Sequence, residues 1–97
     1  MTENTQERIH RLTEDVLGEV TRKMGFTESP FRCRCDPQPS ENGLTIWKVA
    51  LWLNPFQGLG FEIEAEEEIT DEAMRLRIEK AIERELIRAG FEERGEA

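Results

Sequence analysis

The ten residues from Leu44 to Leu53 read LTIWKVALWL, and they decide the fold. β-branched and aromatic side chains dominate. Trp47, Val49, Leu51 and Leu53 fall on one side of an extended chain, and Ile46, Lys48, Ala50 and Trp52 on the other. Such a segment is a strand in need of neighbours, and both flanks offer one. Upstream, Pro37 to Gly43 (PQPSENG) is dense in turn residues and reads as a loop. Before it, Phe31, Cys33 and Cys35 alternate with Arg32 and Arg34, the pattern of a half-buried strand. Downstream, Asn54 to Gly60 (NPFQGLG) reads as a second turn, and Phe61, Ile63 and Ala65 then alternate with Glu62, Glu64 and Glu66. Connections this short predict an antiparallel meander, because parallel neighbours need a crossover of about a dozen residues or more.

Helical periodicity flanks the three strands. Ile9, Leu12, Val16, Val20 and Met24 recur at three- and four-residue spacing. Asn4 with Glu7 fits a capping box at the start, and Gly25 supplies the stop, with Phe26 folding back. At the other end Thr70 is the expected N-cap, with Asp71 and Glu72 in the first turn, where the helix dipole favours acids. Met74, Ile78, Ala81, Ile82 and Ala89 form a stripe widened by Leu86, and Gly90 ends the helix, with Phe91 placed to close it. Asp71–Arg75 and Arg75–Glu79 are opposite charges four apart.

The sequence therefore predicts an α+β fold in the order α-β-β-β-α. A three-stranded antiparallel sheet carries two helices packed on one face. Its 97 residues make one domain, with an ordered core over about 5–91 and a frayed tail at 92–97. Phe31, Cys33, Trp47, Val49, Phe61 and Ile63 face the helices. The opposite sheet face shows Arg32, Arg34, Ile46, Lys48, Trp52, Glu62 and Glu64, which reads as a cross-strand charge ladder around Lys48.

Composition excludes several functions. The longest apolar run, Val49 to Leu53, is far short of the roughly 20 residues a membrane span needs. The first residues lack the basic start and apolar stretch of a signal peptide, so the expected location is cytoplasmic. Thirteen Lys and Arg against 21 Asp and Glu leave a net charge of −8, which disfavours direct binding to nucleic acid. A single histidine, no tyrosine and no nucleophile motif argue against an enzyme, and no cofactor motif is present.

Two features point to a binding surface. The stretch 62–72 holds seven acids and no base. Glu62, Glu64, Glu66, Glu67 and Glu68 form an anionic patch suited to a basic protein partner. The strand glutamates recur at roughly 6.5–7 Å, close to a phosphate repeat, so nucleic-acid mimicry is one version of this reading. The bland alternative is a solvated strand face followed by a favourable helix start. Trp52, Ile46 and Phe56 are the second feature, aromatic and aliphatic groups on the polar sheet face or in a turn. Their alternative is local cover by the twisting strand, the tail or a second copy, and a homodimer through the sheet edges is a further route.

The pair Cys33 and Cys35 is not a CxxC motif. On a strand both thiols point to the core side, where a free cysteine behaves as a small hydrophobe. The functional alternative is a metal- or redox-responsive protein in which Cys33 and Cys35 act with His10 and Asp36.

The helix–strand–strand–strand–helix order resembles the topology of double-stranded-RNA-binding domains over most of the chain. That resemblance implies helices on one sheet face and, as a remote alternative, duplex RNA as ligand. The family places a basic cluster at the start of its last helix, where this sequence has Thr70-Asp71-Glu72-Ala73, so no functional residue carries over. The expectation is a small acidic, non-enzymatic interaction module, an adaptor, inhibitor or regulatory protein. It docks a basic partner through its acidic C-terminal surface and the aromatic sheet face.

Overall fold

The computed structural model describes residues 4–27 and 29–90. The elements are α1 (Thr5–Lys23), β1 (Arg32–Pro39), β2 (Leu44–Asn54), β3 (Gln57–Glu66) and α2 (Asp71–Arg88). The sheet is antiparallel, in the order β1-β2-β3. β2 pairs on both flanks, as its alternating composition requires. Phe91 and the tail, assigned above to a closing contact and to fraying, lie outside the described residues.

Both hairpins are tighter than the turn residues suggest. β1 continues through Pro37 and Pro39, which the sequence reading assigns to a loop. The reason is geometric. The Ser40 N–H donates to Leu44 O at 3.1 Å, so the even-numbered amides of β1 face β2 and the odd-numbered ones face outward. Proline lacks only an outward N–H at positions 37 and 39, and an edge strand tolerates that loss. The remaining loop is Glu41–Asn42–Gly43, with Gly43 at φ +77°, the left-handed position a three-residue hairpin loop requires. In the second hairpin β3 starts at Gln57, so only Pro55 and Phe56 form the turn. No described non-glycine residue has positive φ. The turn is therefore not of the mirror-image kind that matches strand twist, and a register shift between Trp52 and Asn54 accommodates the mismatch.

The helix ends follow their cap chemistry. Asn4 Oδ1 accepts from Glu7 N at 2.8 Å, and Thr70 Oγ1 accepts from Ala73 N at 3.2 Å. At the end of α1, Gly25 sits at φ +95°. The Phe26 N–H reaches back to Thr21 O at 3.0 Å and the Gly25 N–H to Arg22 O at 3.1 Å. This is the paired-bond stop that only a left-handed residue permits cheaply.

α1 packs along β1, α2 along β3, and the helices pack against each other. Ile9, Val16 and Val20 of α1 meet Met74, Ile78, Ile82 and Leu86 of α2 and the inner faces of Trp47, Val49, Leu51 and Ile63 in one buried cluster. Thr13 and Thr21 are buried within α1 but satisfied. Their hydroxyls donate to Ile9 O and Leu17 O at 2.8 and 2.7 Å. Two expected core positions differ. Cys33 is only half-buried, because it lies where β1 meets a surface groove, and Ala89, the C-cap of α2, is exposed.

The expected Arg75 pairs within α2 give way to pairs between helices. Arg75 Nη2 lies 2.7 Å from Glu19 Oε1, and Nη1 3.7 Å from Asp15 Oδ2. Lys23 approaches Glu79 and Glu83 at 3.6 and 3.8 Å. Arg8 Nε contacts Asp71 Oδ1 at 2.9 Å, while its Nη2 donates to Ile69 O at 3.0 Å. Residues early in α1 meet those early in α2, and late meet late, so the helices run parallel, as an odd number of intervening strands demands.

Candidate functional site

The outer face of the sheet is built from cross-strand rungs. Arg32, Trp52 and Gly58 form one, and Arg34, Ala50 and Gly60 the next. Asp36, Lys48 and Glu62 follow, and then Gln38, Ile46 and Glu64. The charge ladder expected from alternation is therefore corrected. Lys48 is flanked by two acids, Asp36 and Glu62. Arg34 lies opposite alanine and glycine and pairs along its own strand, Nε to Asp36 Oδ2 at 2.9 Å.

The sites proposed from sequence do not form one patch. Phe56 lies at the tip of the β2–β3 hairpin and is 94% exposed. Asn54 holds that tip. Its Oδ1 accepts from Phe56 N at 2.9 Å and its Nδ2 donates to Gln57 Oε1 at 2.9 Å, an Asx turn. Leu53, 37% exposed, and half-buried Trp52 lead into the tip. Ile46 is half-buried and sits opposite Glu64. Glu62 and Glu64 are exposed on the same outer face. Glu66 is not free to dock. Arg77 Nη2 donates to its two carboxylate oxygens at 3.2 and 3.3 Å, and Arg77 Nη1 donates to Glu64 O at 2.8 Å. The hydrogen bond from Arg77 holds the Glu66 carboxyl below its ordinary range. Glu66, Glu67 and Glu68 lie at the far end of β3, about 30 Å from the tip by the strand rise.

The cysteines take two environments. Cys35 is buried, and its thiol donates to Thr13 Oγ1 at 3.4 Å. Burial raises its pKa. Cys33 Sγ lies 3.7 Å from His10 Nε2, and burial, reinforced by Cys35 and Glu14, pushes its pKa up to about 12. Both thiols are thus held protonated, the opposite of a primed nucleophile. Among the described residues, no group of three or more His, Cys, Asp or Glu side chains is placed to hold a metal ion.

One feature escapes the sequence reading. Trp52 has only Gly58 beside it on β3, and its ring lines two hollows at the β1 edge. One, of about 490 Å³, is lined by Gln6, His10, Cys33, Arg34 and Trp52 among others. The other, of about 470 Å³, adds Glu14, Leu17, Ser29, Phe31 and Arg32. They share His10, Cys33 and Trp52, so they form one groove between α1 and β1. Across it, α1 caps the outward carbonyls of β1. Gln6 Nε2 donates to Cys35 O at 2.9 Å, and His10 Nε2 lies 3.2 Å from Cys33 O. His10 is itself held by Glu14, Nδ1 to Oε1 at 2.9 Å. The four-residue step from Gln6 to His10, about 6 Å along the helix, comes close to the two-residue step from Cys35 to Cys33, roughly 6.5–7 Å along the strand. That match is legible in sequence only once α1 is known to lie beside β1.

Comparison with known proteins adds no identity: no family model, no curated protein and no solved structure matches the chain. Among the described residues, no helix is long and apolar enough to cross a membrane.

Proposed function

We propose that this chain is a non-enzymatic interaction module that docks a basic partner protein through the outer sheet face and its β2–β3 tip. The observation that supports this reading is Phe56. A large aromatic side chain, 94% exposed, stands on a turn held by two Asn54 hydrogen bonds. The held turn leaves only the two side-chain torsions of Phe56 to be ordered on binding, and aromatic anchors of this kind dominate interface energetics. Glu62 and Glu64, exposed on the adjoining face of a chain with net charge −8, steer a basic partner toward it.

Interface size limits the patch. A standard interface covers about 800 Å² per partner. That area reaches from the tip through Trp52 and Glu62 to Ile46 and Glu64, and leaves Glu67 and Glu68 outside. Nucleic-acid mimicry by a row of three strand glutamates has less support, since Arg77 takes Glu66 out of the row. Duplex-RNA binding gains no cation from the start of α2, where Asp71 is paired with Arg8.

The test is a partner captured from host lysate by the tagged chain and then titrated against variants. Phe56→Ala should weaken binding by about 2 kcal/mol, roughly thirtyfold, with the melting temperature unchanged. Glu62→Lys with Glu64→Lys should slow association and flatten its salt dependence. Equal binding by Phe56→Ala refutes the proposal.

A further inference from the structure

We propose that the groove between α1 and the outer edge of β1 is a strand-addition site for an extended segment of a partner protein, one that alternates acidic and apolar residues. The groove shares Trp52 with the patch proposed above but does not use the Phe56 tip, so its test stands without it. Among the described residues β1 pairs only with β2, and the backbone N–H groups of Cys33 and Cys35 point out of that ladder toward the groove. Their carbonyls are met by two side chains of α1, Gln6 and His10. Side-chain caps of this kind exchange for the main-chain amides of an incoming strand, the recognition mode of sheet edges that face a helix across a groove. The hollows of about 490 and 470 Å³ run together along the edge and supply the room.

The polarity of the occupant follows from the alternation of an added strand. On the outer face its side chains neighbour Arg32 and Arg34, both exposed; Arg34 is shared with Asp36 in a solvent-exposed pair at 2.9 Å, which an incoming carboxylate can exchange, and acidic residues fit there. On the inner face they neighbour Phe31, Cys33 and Leu17, and apolar residues fit there. Glu7 and Glu14 also line the groove, but from the helix, and each is already engaged. Glu7 Oε1 accepts from Asn4 Nδ2 at 3.0 Å, and Glu14 holds His10. Residues 29–61 carry two acids against three bases. On β1 itself the balance is two bases, Arg32 and Arg34, against Asp36, whereas β3 carries Glu62, Glu64 and Glu66 and no base.

The probe is a fluorescent octapeptide alternating valine and glutamate, with a valine–lysine octapeptide as control, titrated into the full chain by anisotropy and by NMR. The expected result is saturable binding of the acidic peptide, with new exchange protection at the Cys33 and Cys35 amides. Arg32→Glu with Arg34→Glu should weaken it about tenfold or more. Cys33→Pro removes an outward amide that the β1–β2 ladder does not use, and should weaken binding while leaving a cooperative melt. No binding, equal binding of the lysine control, or unchanged binding by the arginine variant overturns the proposal. So does a free chain that sediments as a dimer with those amides already protected, because a second copy would then occupy the edge.

Discussion

At the scale of single residues, environment overrules residue type. Glu66 looks like its neighbours Glu62 and Glu64 in sequence, yet the Arg77 hydrogen bonds hold its carboxyl below the usual range. A depressed folded-state pKa gives stability that is present above the ordinary carboxyl range and is lost as pH falls through the depressed value. Arg77→Gln should therefore move the Glu66 midpoint upward in an NMR titration. Cys33 runs the other way. Its pKa is raised from 9.0 to about 12. Its contribution is whole below the ordinary thiol value and is lost as pH rises through the window from 9.0 to about 12. At pH 8 both thiols should react slowly with a disulfide reagent in the folded chain and quickly in denaturant. Fast reaction of Cys33 in the folded state would contradict a thiol held protonated.

At the scale of elements, caps and turns carry local stability and packing carries the rest. Asn54→Ala removes both tip hydrogen bonds and should cost about 1 kcal/mol in chemical denaturation, with the loss of order concentrated in the β2–β3 hairpin. Leu86→Ala empties a fully buried site on α2 and should cost about 2–5 kcal/mol. The contrast separates what shapes the tip from what holds the domain. Arg75→Ala severs cross-helix ion pairs that are partly exposed, so its cost should stay within about 1 kcal/mol and shrink in high salt. The turn residues PQPSENG and NPFQGLG correctly located both hairpins but overstated their loops. Proline and glycine propensities report conformational freedom, not which amides a neighbouring strand uses.

At the scale of the whole molecule, three open strands leave two edges, and both are met by side chains. Gln6 and His10 cover outward carbonyls of β1, and Arg77 covers Glu64 O on β3. These caps oppose careless edge pairing. The chain should sediment as a monomer at micromolar concentration, and Gln6→Ala with His10→Ala should shift it toward self-association. The element order, the meander, the helix caps and nearly all of the core were readable from the amino-acid string. Periodicities of 2 and 3.6 are set by local backbone geometry, and the inward face of Trp47, Val49 and Leu51 follows from alternation alone. The candidate sites were readable only as residue types. Whether Glu66 stays free depends on Arg77, eleven residues away. Cys33 is only half-buried because of the groove beside α1. That Trp52 joins His10 and Cys33 depends on Gly58 opposite it and on α1 lying beside β1. Those are distances between elements, set by how the helices seat on the sheet, and no local pattern in one segment encodes them.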